Sequence, residues 1–238
     1  MAGAPGRPKR FYLAAVAAPL EGGFGVALDA RTLRTPAGAR LVLPSLALAE
    51  LVASEWSAVE GAIDYALMPA TRLAFTAADR VGRARAAMAS EVARQAGADL
   101  LCYFAEAPAS LTRRQEERWG PVLDWAARTQ DLRFEPTAGI LHRAQPQATL
   151  NRVEALAGEL DDFALAGLAL AASLFTSAVL ALALQCGELS GDQAFDLSRL
   201  DEAFQEEQWG VDAEAAERTA GLRAEAGMLE RWFRALQG

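Results

Sequence analysis

Short apolar runs broken by glycine and proline fill the first sixty or so residues, and apolar positions spaced by three and four fill most of the remaining chain. Weak alternation over residues 10–17, 25–29, 32–35 and 40–43 predicts four short strands in a meander. Gly22, Gly23 and Gly25 lie between the first two and predict a hairpin turn. The same glycines open no helix, so they lack the strand-to-helix setting of a phosphate-binding loop. Pro44 breaks the run, and Ser45 offers an N-cap to a helix whose apolar positions are Leu48, Ala49, Val52, Trp56 and Val59. Trp56 falls where strands give way to helices, and a structural role is expected for it.

From residue 68 onward the pattern is helical. Leu73, Ala74, Ala77, Ala78 and Val81 form one stripe, and Met88 and Val92 continue a second. Residues 99–104 read as a short apolar helix ending before Pro108. Trp119, Val122, Leu123 and Ala126 form another stripe, in which Gly120 and Pro121 predict a kink or a division. Residues 139–147, GILHRAQPQ, read as a loop, and the chain from Leu150 reads as helix punctuated at Gly187, Gly191 and Gly210. No repeat appears at solenoid periods. Strands early and helices late make the fold class α+β, with a small mainly-β domain carrying one helix at 1–67 and a larger all-α domain at 68–238.

Residues 163–184 change that picture if they cross a membrane. They run for 22 positions without a charge, eight of them Ala, and a helix of that length is about 33 Å long. Gly167, Ser173, Thr176 and Ser177 dilute the apolar surface, the flanks are Asp161, Asp162 and Glu188, and no Lys or Arg occurs over 153–198 to anchor an orientation. One buried helix, or two, is the expected outcome, without stable membrane insertion.

Composition then narrows the chemistry. The 238 residues are 52% hydrophobic, enough for a substantial core, and the net charge of −8 argues against nucleic-acid binding. The charge is uneven: from residue 186 onward there are twelve acids and five arginines, whereas residues 72–94 hold five arginines against Asp79 and Glu91. Two cysteines, Cys102 and Cys186, far apart, make neither a disulfide scaffold nor a zinc motif and fit a reducing compartment. The start, MAGAPGRPKR, has no apolar segment of the kind found after the basic start of a signal peptide. A single His142 supplies no multi-histidine metal site, Asp161 and Asp162 read as helix N-terminal charge, and no nucleophile motif is present. No cofactor or metal is expected.

The stretch LDEAFQEEQWG at 200–210 holds four acids, two glutamines and a tryptophan followed at once by glycine. On a helix, Leu197, Leu200, Phe204 and Val211 share a sector of about 60°, and Glu202, Gln205, Glu206 and Trp209 gather on the other side within about 100°. Two readings stay open on pattern alone. Either Trp209 packs on a neighbouring element while the acids face water, or the four residues form a recognition surface, since Trp is enriched at interface hot spots and fixed acids select basic partners.

This stretch, coming after SAVLALAL at 177–184, resembles the signature of the assembly chaperone of the ATP synthase alpha subunit. RFY at 10–12, LDARTLRTP at 28–36, LVLPS at 41–45, EW at 55–56, MPATRLAFTA at 68–77 and DLLCYFAEAPASLTRRQEERWGPVLDW at 99–125 resemble the same family in the same order. The resemblance implies a non-enzymatic protein that holds the free alpha subunit until beta replaces it, acting in the bacterial cytoplasm, or in the mitochondrial matrix of a eukaryote. It singles out Glu202, with Gln205, Trp209 and Gly210, and it maps Glu55, Trp56, Met68 and Pro69 onto the family pattern of the first half. The central apolar segment is more Ala-rich than that pattern. The expected partner surface is Glu202, Gln205, Glu206 and Trp209, on a monomer. The competing reading is a small-molecule enzyme with an interdomain cleft and Glu202 or Glu206 as general acid or base.

Overall fold

The hairpin forms where the three glycines place it. In the computed structural model, which describes residues 8–210 and 213–237, β1 (Ala15–Leu20) pairs antiparallel with β2 (Gly23–Leu28), and Leu20 faces Gly23 across a two-residue turn. Gly22 takes φ +87°, and Gly23 lies so close to the Leu43 carbonyl that a Cβ there would collide with it. β3 (Arg31–Thr32) completes a three-stranded sheet in the order β1-β2-β3.

The strand expected over 10–17 is displaced. Residues 10–14 do not join a ladder, because side chains take much of their backbone: Asp29 accepts from the Leu13 and Ala14 N–H groups, and Arg10 donates to the carbonyls of Tyr12 and Leu13. The strand expected over 40–43 is likewise reduced to isolated bridges, Phe24 with Leu43 and Arg34 with Arg40.

Ser45 caps α1 (Leu46–Ser57) as expected, its Oγ accepting from Leu48 N–H at 3.1 Å. Leu48, Ala49, Val52 and Trp56 are buried on one face, and α1 packs on β1 and β2. Buried Tyr12 donates its hydroxyl to the Trp56 carbonyl at 2.7 Å. A short 3₁₀ turn (Tyr65–Leu67) leads into α2 (Pro69–Thr76), with Pro69 at the first helical position, where its missing N–H costs nothing. A π-type turn (Ala77–Val81) joins α2 to α3 (Gly82–Ala96).

Beyond α3 the chain is helical with one exception. Residues 99–104 form a 3₁₀ turn (Leu100–Cys102) and then β4 (Tyr103–Phe104), which pairs parallel with β5 (Thr137–Ala138). The apolar helix expected there is absent because fully buried Asp99 caps the turn: its carboxylate accepts from Leu101 N–H, the Ser177 hydroxyl and Val179 N–H. α4 (Ala109–Thr129) runs undivided through Pro121, and α5 (Gln147–Glu159) comes after the expected loop.

The apolar segment is two helices, α6 (Asp162–Phe175) and α7 (Ala178–Gln185), broken at Thr176 with φ +50°. Asp161 caps α6, and Ser177 caps α7. Both helices are largely buried, and no helix among the described residues is long and apolar enough to cross a membrane.

α8 (Gly191–Ser198), α9 (Leu200–Trp209) and α10 (Ala213–Gln237) complete the chain. A small N-terminal β-sheet region thus precedes a larger helical part. By internal packing the residues up to Arg83 group with those from Arg231 onward, and Ala84–Glu230 form a second unit. Both crossings fall inside helices, α3 and α10. Trp232, Phe233 and Ala235 of α10 are buried, and the Ser45 hydroxyl donates to the Ala235 carbonyl.

Candidate functional site: the outer face of α9

α9 begins at a break. Ser190 and Gln193 form a capping box that starts α8, and α8 ends at Arg199, which leaves helical geometry with φ −113° and ψ 17° before α9 resumes at Leu200. The single helix assumed in the wheel projection is therefore two. The inward stripe survives: Leu197, Leu200 and Phe204 are all buried, while Val211 lies outside the described residues.

Three residues of α4 hold this inner face. Trp119 donates its indole N–H to the Leu197 carbonyl at 3.0 Å. Gln115, fully buried, donates to Asp201 at 2.7 Å and accepts from Ala105 N–H. Arg114 binds Glu207 through both nitrogens, at 2.7 and 2.9 Å, with its guanidinium over the Phe204 ring. Burial pushes the Asp201 carboxyl above its ordinary range, against the Gln115 hydrogen bond, and the charge of Glu202 adds to the rise. The Arg114 hydrogen bond draws Glu207 below its ordinary range.

The four sequence-predicted residues lie on the side away from that packing. Gln205 is exposed, the Glu202 and Glu206 side chains keep 47% and 34% of their surface, and Trp209 is 85% exposed. A large aromatic so exposed gains nothing from the core. Gly210 explains the Trp-Gly pairing: at φ +84° it ends the helix in a conformation that side chains disfavour, its N–H returning to the Glu206 carbonyl at 2.9 Å. Trp209 is consequently the last residue of α9, at the rim of its outer face.

The wheel projection missed Arg199. Its guanidinium lies 3.1 Å from Glu202 and 3.9 Å from Glu206, joining two of the four residues into one charged cluster. The i to i+3 spacing from Arg199 to Glu202 is a local signal that was available. The Arg114–Glu207 pair, 93 residues apart in the chain, left none.

In the first unit the two expected sequence elements meet. Glu55 of α1 accepts from Ala70 N–H, Thr71 N–H and the Thr71 hydroxyl, at 2.8, 2.8 and 2.7 Å. A carboxylate from another helix thus serves as the cap that Met68 does not provide. Burial nonetheless raises the Glu55 carboxyl, partly offset by those hydrogen bonds. Trp56 and Met68 are both 2% exposed, so this cluster joins two helices rather than presenting a surface. His142 is exposed, its Nδ1 lying 3.0 Å from the Tyr103 hydroxyl.

An open groove of about 620 Å³ lies elsewhere in the second unit, between α4 and the β5 strand, with Phe104, Leu123 and Phe134 among its walls. None of the four α9 residues lines it. Of the raised carboxyls, Asp99 and Glu55 accept from backbone N–H groups and Asp201 accepts from Gln115. Among the described residues no group of three or more His, Cys, Asp or Glu is placed to hold a metal ion.

A family model described as ATP12 chaperone protein matches residues 9–127. The chain belongs to the ATP12 chaperone family. Its fold is shared with solved members at substantial identity. The structure of Atp12 from Paracoccus denitrificans is 38% identical, with a TM-score of 0.89, over 96% of this chain and 98% of that chain. A mutant of the Paracoccus protein, with an aspartate changed to lysine, gives the same values. The Atu1473 protein from Agrobacterium tumefaciens is 40% identical with a TM-score of 0.90, over 96% of this chain and 86% of that one. As an ATP12 chaperone the chain is an assembly factor rather than an enzyme, and the reading of Glu202 or Glu206 as a general acid or base falls away.

Proposed function

We propose that this chaperone binds the free alpha subunit of the ATP synthase catalytic sector and holds it until the beta subunit displaces it. In this reading the outer face of α9 is client surface, with Glu202, Gln205 and Glu206 supplying polar selection and Trp209 an aromatic anchor. The observation that carries it is Trp209, 85% exposed on a helix whose other face is clamped by Arg114 and Gln115. A polar patch around one aromatic gives affinity that a better-fitting partner can outcompete, which an assembly chaperone needs. The protein acts as a monomer in the bacterial cytoplasm, or in the matrix if its source is eukaryotic, without nucleic acid or cofactor.

Co-purification with separately produced alpha and beta subunits tests the reading. Selective capture of alpha, reduced about tenfold or more by Trp209→Ala with thermal unfolding unchanged, is expected. Equal capture of both subunits, or of neither, overturns the client assignment. Undiminished capture by the Trp209→Ala protein removes α9 from the interface.

A further inference from the structure

The arginine-rich run over 72–94 has no part in the acidic α9 face. Two of its members, Arg72 and Arg80, join Arg34 around a pocket of about 550 Å³ that lies wholly in the first unit and also includes Thr35, Tyr65 and Phe75. Asp79 is the one carboxylate in its lining, and its Oδ2 already accepts from Ala37 N–H at 3.1 Å. Arg34 donates to the Gly38 carbonyl at 2.6 Å. Neither Arg34 nor Arg80 has an ion-pair partner among the described residues. The charge of Arg34 and Arg80 is therefore not consumed internally, while Arg72 also acts on the Glu55 carboxylate.

Two further observations point to a ligand. Thr35 is 4% exposed, yet its hydroxyl finds no hydrogen-bond partner, a cost that a fold removes unless the group has another use. Asp79 and Arg80 also sit in the π-type turn between α2 and α3, a departure from α geometry that recurs at functional sites. One wall is aromatic: the Tyr65 and Phe75 rings lie 6.0 Å apart, and Tyr65 is 41% exposed. No glycine-rich loop or free helix N-terminus borders the pocket to cradle a phosphate, since Glu55 occupies the start of α2.

We infer that this pocket binds an acidic side chain of a polypeptide partner, with Arg34, Arg72 and Arg80 around the charge and Tyr65 beside the adjoining carbons. Guanidinium groups suit this role because their fixed fork matches a carboxylate and they are held charged at all working pH values. In combination with the proposed function, which this inference uses only to suggest that the partner is the client, the chaperone carries a basic and an acidic recognition site, one in each unit.

The test uses the full ¹⁵N-labelled chain and needs no ATP synthase subunit. It is titrated separately with a blocked pentapeptide alternating Glu and Leu, with the same peptide carrying Lys for Glu, and with inorganic phosphate. Saturable shifts at the amides of Thr35, Tyr65 and Arg80 are expected with the Glu peptide and not with the Lys peptide, weakened about tenfold or more in Arg80→Glu. Arg80 is exposed, so that variant should keep its thermal midpoint, and Arg34→Ser provides a second, milder loss. Unchanged affinity in folded Arg80→Glu protein, absence of saturable shifts, or saturation by phosphate alone overturns the inference. Alpha-subunit capture without any response of the pocket to peptide rejects the pocket alone, and a pocket response without capture rejects the client assignment alone.

Discussion

Arg199 Nη1 lies 3.1 Å from Glu202 Oε1, across the break that starts α9. The acidic residue singled out on this helix therefore meets its partner already ion-paired, and a basic group arriving from outside must share or displace Arg199. Half-exposed pairs of this kind add little to stability. Glu202→Gln is expected to leave the thermal midpoint nearly unchanged while weakening alpha-subunit capture about tenfold. Arg199→Ala is expected to preserve capture and make it more sensitive to salt, because the carboxylate is then steered only by the client. A matching fall in thermal stability and capture for Glu202→Gln would assign the residue to the scaffold.

Glu55 closes the start of α2 with both carboxylate oxygens. Replacing it with Ala leaves the N–H groups of Ala70 and Thr71 without that acceptor, and a loss of about 1–3 kcal/mol in urea unfolding is expected. Glu55→Gln should lose less, since its one carbonyl oxygen still accepts. Equal midpoints for wild type and Glu55→Ala would show that water replaces the cap at no cost.

Gly191 stands where α8 meets α10. A Cβ there would lie 2.5 Å from the Ala226 carbonyl oxygen and 2.8 Å from its carbon, both backbone atoms that cannot turn aside. Its N–H also donates to Glu230 at 2.7 Å. Gly191→Ala should destabilise the fold by about 1–3 kcal/mol through overpacking, whereas Gly187→Ala should act only through its φ of +76°, having no neighbour within 4 Å. A crystal structure of the Gly191→Ala protein with α8 and α10 unmoved would contradict this.

Asp99 is fully buried, and desolvation raises its carboxyl from 3.8 to about 6 in spite of the hydrogen bonds from Ser177 and Val179. The folded state therefore binds a proton more tightly than the unfolded chain. The contribution of Asp99 to stability is greatest below about pH 4, falls as the pH rises towards 6, and is constant above that. Subtracting the unfolding free energy of Asp99→Asn at each pH isolates it, and a fall on the order of 2 kcal/mol between pH 4 and 6 is expected. A difference that grows over the same interval would mean that the hydrogen bonds outweigh burial.

Elements specified by adjacent residues were legible in the sequence: the glycine hairpin, the Ser45 cap, the buried stripe ending in Trp56 and the inward face of α9. Those depending on distant groups were not. Residues 10–14 look like a strand until Asp29 and Arg10 take their backbone groups. Residues 99–104 look like a helix until Ser177 and Val179 draw the Asp99 carboxylate inward. Pro121 does not divide its helix, since α4 runs from Ala109 to Thr129 through it. The outer face of α9 could be drawn from spacing, but its anchoring by Arg114 and Gln115 comes from 86 to 93 residues away.

The final helix returns to the first unit, and this sets an order on folding during synthesis. Strands β1 to β3 and helix α1 leave the ribosome early, but the Ser45 hydroxyl must wait for the Ala235 carbonyl, and the surface covered by Trp232 and Phe233 stays open until those residues emerge. The residues of the second unit all precede Arg231. A nascent chain stalled before residue 231 therefore has every residue of the helical unit but lacks the segment that completes the β-sheet unit, so the part made first is finished last.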